Sequence, residues 1–110
     1  MAYKPLIPMT YETVTEIYTT YDIIFRRLQK SLGEVDSDNL TITLTIGLRN
    51  PKKRNKLRKV AIHEFLHAHY YIKCRGEVGD NENLIERETD YYIEHEPDLV
   101  DLVLSFIENE

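Results

Sequence analysis

His63 and His67, with Glu64 beside the first of them, lie in the middle of a stretch that reads as one long helix, and no other feature constrains the chain as much. Positions i and i+4 of a helix sit one above the other, so both imidazoles face the same side. Asn50-Pro51 is a helix start, with Asn as cap and Pro at the first position, and the helix should run to about Lys73 and stop near Gly76. Ala61, Ile62, Phe65 and Leu66 make its middle largely apolar, as a buried helix requires. The 110 residues suit one domain, 1–110. A domain of this size buries only a modest core, so an ordered metal site would add to its stability.

The remaining elements follow from periodicity. Pro5 and Pro8 make residues 1–9 an extended lead-in. From Thr10 to Leu32 the apolar residues Val14, Ile17, Tyr18, Tyr21, Ile24, Phe25, Leu28 and Leu32 keep helical spacing, with Gly33 as the stop. Residues 39–48 alternate: Leu40, Ile42, Leu44, Ile46 and Leu48 point one way, and Thr41, Thr43, Thr45 and Gly47 the other. That is one half-buried strand, which needs a partner in Leu6–Met9, another chain or a bound peptide. Gly79-Asp80 marks a loop, Leu84 to about Glu94 a third helix, and Pro97 opens a fourth from Asp98 to about Glu108. The expected fold is α+β, with about four helices and a short sheet.

His63-Glu64-Phe65-Leu66-His67 is the pattern HExxH. Two imidazoles one turn apart can reach one Zn²⁺ at about 2.0–2.1 Å, while Glu64 points near the ion and can take a proton from a water there. Shuffling this composition would produce the pattern in about one sequence in seventy. A catalytic zinc wants a third protein ligand and an open position. One extended zincin pattern would need Gly at 70 and His at 73, where this chain has Tyr70 and Lys73. The other common solution is a Glu on a following helix. Glu86 and Asp90 share a face, so Glu86 is the expected ligand and Asp90 the acceptor that fixes a ligand imidazole. Glu88 lies about 200° round the helix; Glu88 and Glu82 are the alternatives.

This arrangement, HExxH followed after 18 residues by Glu86-Arg87-Glu88-Thr89-Asp90, resembles the gluzincin metallopeptidases. In length and element order it is similar to their minimal-scaffold group, the minigluzincins. The resemblance implies a zincin-like zinc hydrolase that cleaves peptide or protein substrates, with a glutamate helix after the active-site helix. It also implies an upper-rim strand that pairs with extended substrate, which residues 39–48 would supply. Finally, it implies a zymogen whose C-terminal segment blocks the cleft. The alternatives are a catalytically inactive or regulatory zincin-like protein, and a peptidase dedicated to cleaving one repressor.

Asp98 to Ile107 holds seven apolar residues in ten, enough to be buried on more than one side. It is either a core helix or, within 96–110, a candidate inhibitory segment that fills its own cleft or exchanges into a second copy of the chain. Lys52, Lys53, Arg54, Lys56, Arg58 and Lys59 put six cations at a helix N-terminus, where the helix dipole disfavours them; a solvated basic face is the ordinary fate of such a run, and contact with an acidic partner, nucleic acid or a membrane surface is the alternative. The net charge of −5 argues against general nucleic-acid binding. Tyr91, Tyr92, His95 and His69 are candidate donors to a tetrahedral oxyanion, although His69 points away from His67 and should not be a ligand. The single Cys74 excludes an internal disulfide, residues 1–9 lack the apolar run of a signal peptide, and no stretch is long enough to span a membrane. A cytoplasmic protein is expected.

Overall fold

A computed structural model describes residues 3–74 and 76–109; residues 1, 2, 75 and 110 of the expected single domain lie outside the described residues. The fold is α+β, as expected, with five helices and a three-stranded sheet among the described residues. α1 spans Tyr11–Thr20, β1 Asp22–Arg26, β2 Gly33–Asp36 and β3 Thr41–Thr45. After two 3₁₀ turns come α2 (Arg54–Lys73), a single turn α3 (Gly76–Gly79), α4 (Glu82–His95) and α5 (Pro97–Glu108). Among the described residues no helix is long and apolar enough to cross a membrane.

The helix expected over 10–32 is half that length. Thr10 starts it with a capping box shared with Thr13, and Val14 and Ile17 bury its apolar face. The chain leaves the helix at Tyr21, because Tyr21-Asp22-Ile23-Ile24-Phe25 is rich in β-branched and aromatic residues. Tyr21, Ile23 and Phe25 fit a strand period as well as Tyr21, Ile24 and Phe25 fit a helical one. Burial separates the two patterns: Ile23 is buried, whereas Ile24 is exposed.

Strand β3 finds its partners in that same stretch, and not in Leu6–Met9. It lies in the centre of the order β1-β3-β2, parallel to β1 and antiparallel to β2. The register places Ile23, Ile42 and Val35 in one row and Phe25, Leu44 and Gly33 in the next. β2 and β3 pack against α2, whose Ala61, Ile62, Phe65, Leu66, Ala68 and Tyr70 are all fully buried, and β1 packs against α1. The β2–β3 turn is tied by Asp36. Its carboxylate accepts from the amides of Asp38 and Asn39 and from the Asn39 side chain, which holds it below the ordinary carboxylate range.

Asn50 caps the turn Pro51–Lys53 by accepting from the Lys52 amide, and the α-helical part of the predicted 50–73 helix begins at Arg54. α2 is the central element, surrounded by α1, α4, α5 and the sheet. α5 buries Leu99, Val100, Val103, Leu104 and Ile107 against α1, α2 and α4, and Phe106 stacks on Tyr18 with ring centroids 4.3 Å apart. The segment expected as a candidate plug is therefore a core helix of its own chain. The extended residues 3–9 run across α2 and α4 and are held by side chains of those helices. Leu6 N donates to Glu88 Oε2 (2.9 Å), Ile7 N to the Tyr70 hydroxyl (3.1 Å) and Met9 N to the Tyr92 hydroxyl (2.6 Å).

Candidate metal centre

The periodicity of α2 lays Lys56, Lys59, Val60, His63, Glu64, His67 and Tyr71 along the floor of a cleft of about 640 Å³. Residues 31–35, which lead into and form β2, make one wall, and Glu82 and Glu86 of α4 stand on the other side. His63 Nε2 and His67 Nε2 approach to 3.2 Å. Glu82 completes the group: Oε1 lies 2.8 Å from His67 Nε2 and Oε2 3.2 Å from His63 Nε2. One ligand atom from each of the three lies within 4.8 Å of the other two, a donor set able to hold a metal ion.

These distances suit a metal. Two atoms bound tetrahedrally at 2.0–2.1 Å from one ion stand about 3.3 Å apart. The ring orientation suits it too. His67 Nδ1 donates to the Gly79 carbonyl at 2.5 Å, which turns Nε2 toward His63 and Glu82. Burial, and then the neighbouring His67, lower the pKa of His63, favouring the neutral ring that binds a metal. A Cβ at residue 79 would come 2.5 Å from the Tyr71 ring, so any larger residue there must push that ring aside.

The acidic pair seen in the sequence is displaced by one helical turn. Glu86, the expected ligand, stands outside the three-residue group, with Oε1 3.5 Å from His63 Nδ1. Asp90, expected to orient an imidazole, instead faces Lys59, with Oδ1 3.6 Å from Nζ. The displacement follows from the α2–α4 connection. α3 and the Asn81 cap turn the chain so tightly that the first turn of α4 arrives beside His67. Glu86 is about 6 Å further along the helix axis. The two imidazoles thus take their outer contacts from Gly79 and Glu86.

Glu64 lines the same cleft, 5% exposed, with its side chain against Gly33 of β2. A Cβ on Gly33 would come 2.8 Å from Glu64 Cγ, so the strand can approach only because residue 33 is glycine. Burial first, and then the charges of Glu82 and Glu34, push the Glu64 carboxyl up to about 8. A buried carboxyl with a raised pKa, in the cleft that also holds a donor set able to take a metal, is suited to accepting and releasing a proton near neutral pH.

The three expected oxyanion donors on α4 do not line the cleft. The Tyr92 hydroxyl is occupied by Met9 N, Tyr91 packs edge-on to Tyr3 and Tyr92, and His95 lies against Tyr91. The hydroxyl-bearing residues that do line it are Ser31 and Tyr71, and Tyr71 stands four residues after His67, on the same stripe. Its ring stacks on His67 at 6.3 Å and its hydroxyl donates to Asp80. His69 is buried away from the cleft, with Nε2 2.8 Å from the Ile7 carbonyl oxygen. Glu88 is fully buried on the far side of α4, as its position on the helix predicts. There it accepts from Tyr3 (2.7 Å), Leu6 N and Tyr70 (2.5 Å). The chain matches no protein-family model, no curated protein and no solved structure, so the reading of this site rests on its geometry.

Proposed function

We propose that this chain is a zinc-dependent peptidase that hydrolyses extended peptides in the cleft above α2. The observation that carries the reading is the meeting of His63, His67 and Glu82 in the same open cleft that the buried carboxyl of Glu64 lines. In this reading His63, His67 and Glu82 hold Zn²⁺, and Glu86 and the Gly79 carbonyl fix the two rings. Bound zinc supplies Lewis-acid polarisation of the scissile carbonyl and a lowered pKa for the attacking water. Glu64 takes the proton of that water and delivers it to the leaving amine.

A free strand edge supports the peptide assignment. Residues 39–48 are not available for pairing, because β3 is the central strand; the edge beside the cleft is β2. Thr45 N donates to the Leu32 carbonyl at 2.9 Å, which fixes the antiparallel alternation. By that alternation Gly33 and Val35 turn their N–H and C=O groups away from β3. An extended peptide can add to this edge as a further strand, with its backbone above the imidazoles. No residue of α5 lines the cleft, so α5 does not stand in the path of a substrate.

The test combines metal and turnover. Zinc should bind at one equivalent, and the loaded full-length chain should cleave members of a mixed peptide library. Glu64→Gln should keep the zinc and lose the cleavage. Stoichiometric zinc without cleavage of any peptide by the full-length chain would identify a zinc-binding protein that is not a peptidase. Failure to bind zinc would refute the whole reading.

A further inference from the structure

The run of cations from Lys52 to Lys59 divides by helical face. Arg54 pairs with Glu108, and Arg58 Nη1 lies 3.3 Å from Asp101 Oδ1, so both arginines tie α2 to α5. Lys56 and Lys59 fall on another stripe, seven and four residues before His63, and line the cleft. Lys52 and Lys53 are exposed in the 3₁₀ turn and do not line it.

The cleft therefore has two ends of opposite character. Around the imidazoles stand Glu64, Glu82 and Glu86; over the first turns of α2 stand two ammonium groups, with the positive end of the helix dipole beneath them. Lys56, in the first turn, weakens the helix that carries it, so helix stability does not account for it. The Lys59–Asp90 contact spans 3.6 Å between side chains 58% and 67% exposed, a pairing that contributes little and that an incoming anion can replace. On the opposite wall Glu34 is engaged by Arg26 at 3.6 Å.

We infer that the cleft selects peptides with acidic side chains in the segment that lies over the N-terminal half of α2, where Lys56 and Lys59 receive them. The peptide nature of the ligand rests on the peptidase reading; the charge preference does not depend on turnover.

The test is binding to full-length Glu64→Gln chain with one equivalent of zinc, read by fluorescence anisotropy. The probes are three labelled decapeptides that differ only in a Glu-Glu, Gln-Gln or Lys-Lys pair on one side of a central Ala-Leu bond, each made with the pair on either side. The Glu-Glu peptide should bind roughly five- to tenfold tighter than Gln-Gln in one of the two placements, and Lys-Lys weaker still. The preference should shrink as salt is raised from 50 to 500 mM. It should vanish in K56E/K59E and persist in K52E/K53E, which carries the same change of net charge. Equal binding of the three peptides, absence of binding, or a preference that survives K56E/K59E would overturn the inference. So would tighter binding of a single-stranded RNA decamer, which would assign the two lysines to nucleic acid. Acidic selectivity in a chain whose wild type cleaves no peptide would leave this inference standing and sink the peptidase reading alone.

Discussion

Glu64→Gln should stabilise the metal-free protein, and by an amount that depends on pH. The carboxyl is raised from its ordinary 4.5 to about 8 in the folded chain. Below pH 4.5 it is protonated in both folded and unfolded states and has no pH-dependent effect. Between 4.5 and 8 the folded state holds a proton that the unfolded state has released, so stability falls as pH rises through this window. At pH 7 the deficit is about 3 kcal/mol, since each unit of difference is worth about 1.4 kcal/mol. Glutamine keeps the shape and never ionises, so the variant should lack this slope. For a domain of this size about 3 kcal/mol corresponds to about 13 °C in Tm. Differential scanning fluorimetry in chelator, at half-unit steps from pH 5 to 8, measures it. Wild type and variant should nearly coincide at pH 5 and diverge steadily toward pH 8, with the variant higher. A constant offset across that range would refute the argument, because a difference in packing does not titrate. A wild type that gains on the variant as pH rises would mean that the folded chain stabilises the carboxylate.

Glu82→Gln should weaken zinc binding far more than Glu86→Gln, for which roughly tenfold is expected, and Asp90→Asn should leave it unchanged; isothermal titration of the three variants measures this. Gly79→Ala should drive the Tyr71 ring aside and disturb the carbonyl that holds His67, lowering zinc affinity roughly tenfold. Gly47→Ala, with nothing within 4 Å of the new Cβ, should not change it. Tyr70→Phe removes a hydroxyl that donates to the buried Glu88 carboxylate and accepts from Ile7 N. It should cost about 1–3 kcal/mol in urea unfolding while zinc affinity stays the same.

The helices of the second half were legible because their ends are marked. Asn50-Pro51 opens the α2 region, Pro97 opens α5, and the apolar spacing between such marks has only one period. Residues 10–32 carry no glycine or proline, and there the apolar spacing fits two periods over Tyr21 to Phe25. What decides between them is non-local. Ile23 and Phe25 become strand residues because Ile42 and Leu44, nearly twenty positions away, offer a parallel partner above α2. A reading confined to local periodicity sees the strand at 41–45 and misses both of its neighbours. It consequently assigns the free edge to the strand that has none.

The candidate site divides along the same line. His63, Glu64 and His67 belong to one helix, and their mutual placement follows from the helical repeat alone. The third member comes from another helix, and its identity depends on how far α4 is advanced along α2. Spacing within α4 makes Glu82/Glu86 and Glu86/Asp90 equivalent i, i+4 pairs, so sequence periodicity cannot rank them. The ranking comes from the Gly76–Asn81 connection, which is short enough to bring the first turn of α4 to His67 and which places the Gly79 carbonyl on its other nitrogen. A loop set by glycine geometry thus fixes both the ring orientation of one candidate ligand and the choice of another. Lengthening that loop by a residue should therefore disturb zinc binding more than a conservative change at Asp90.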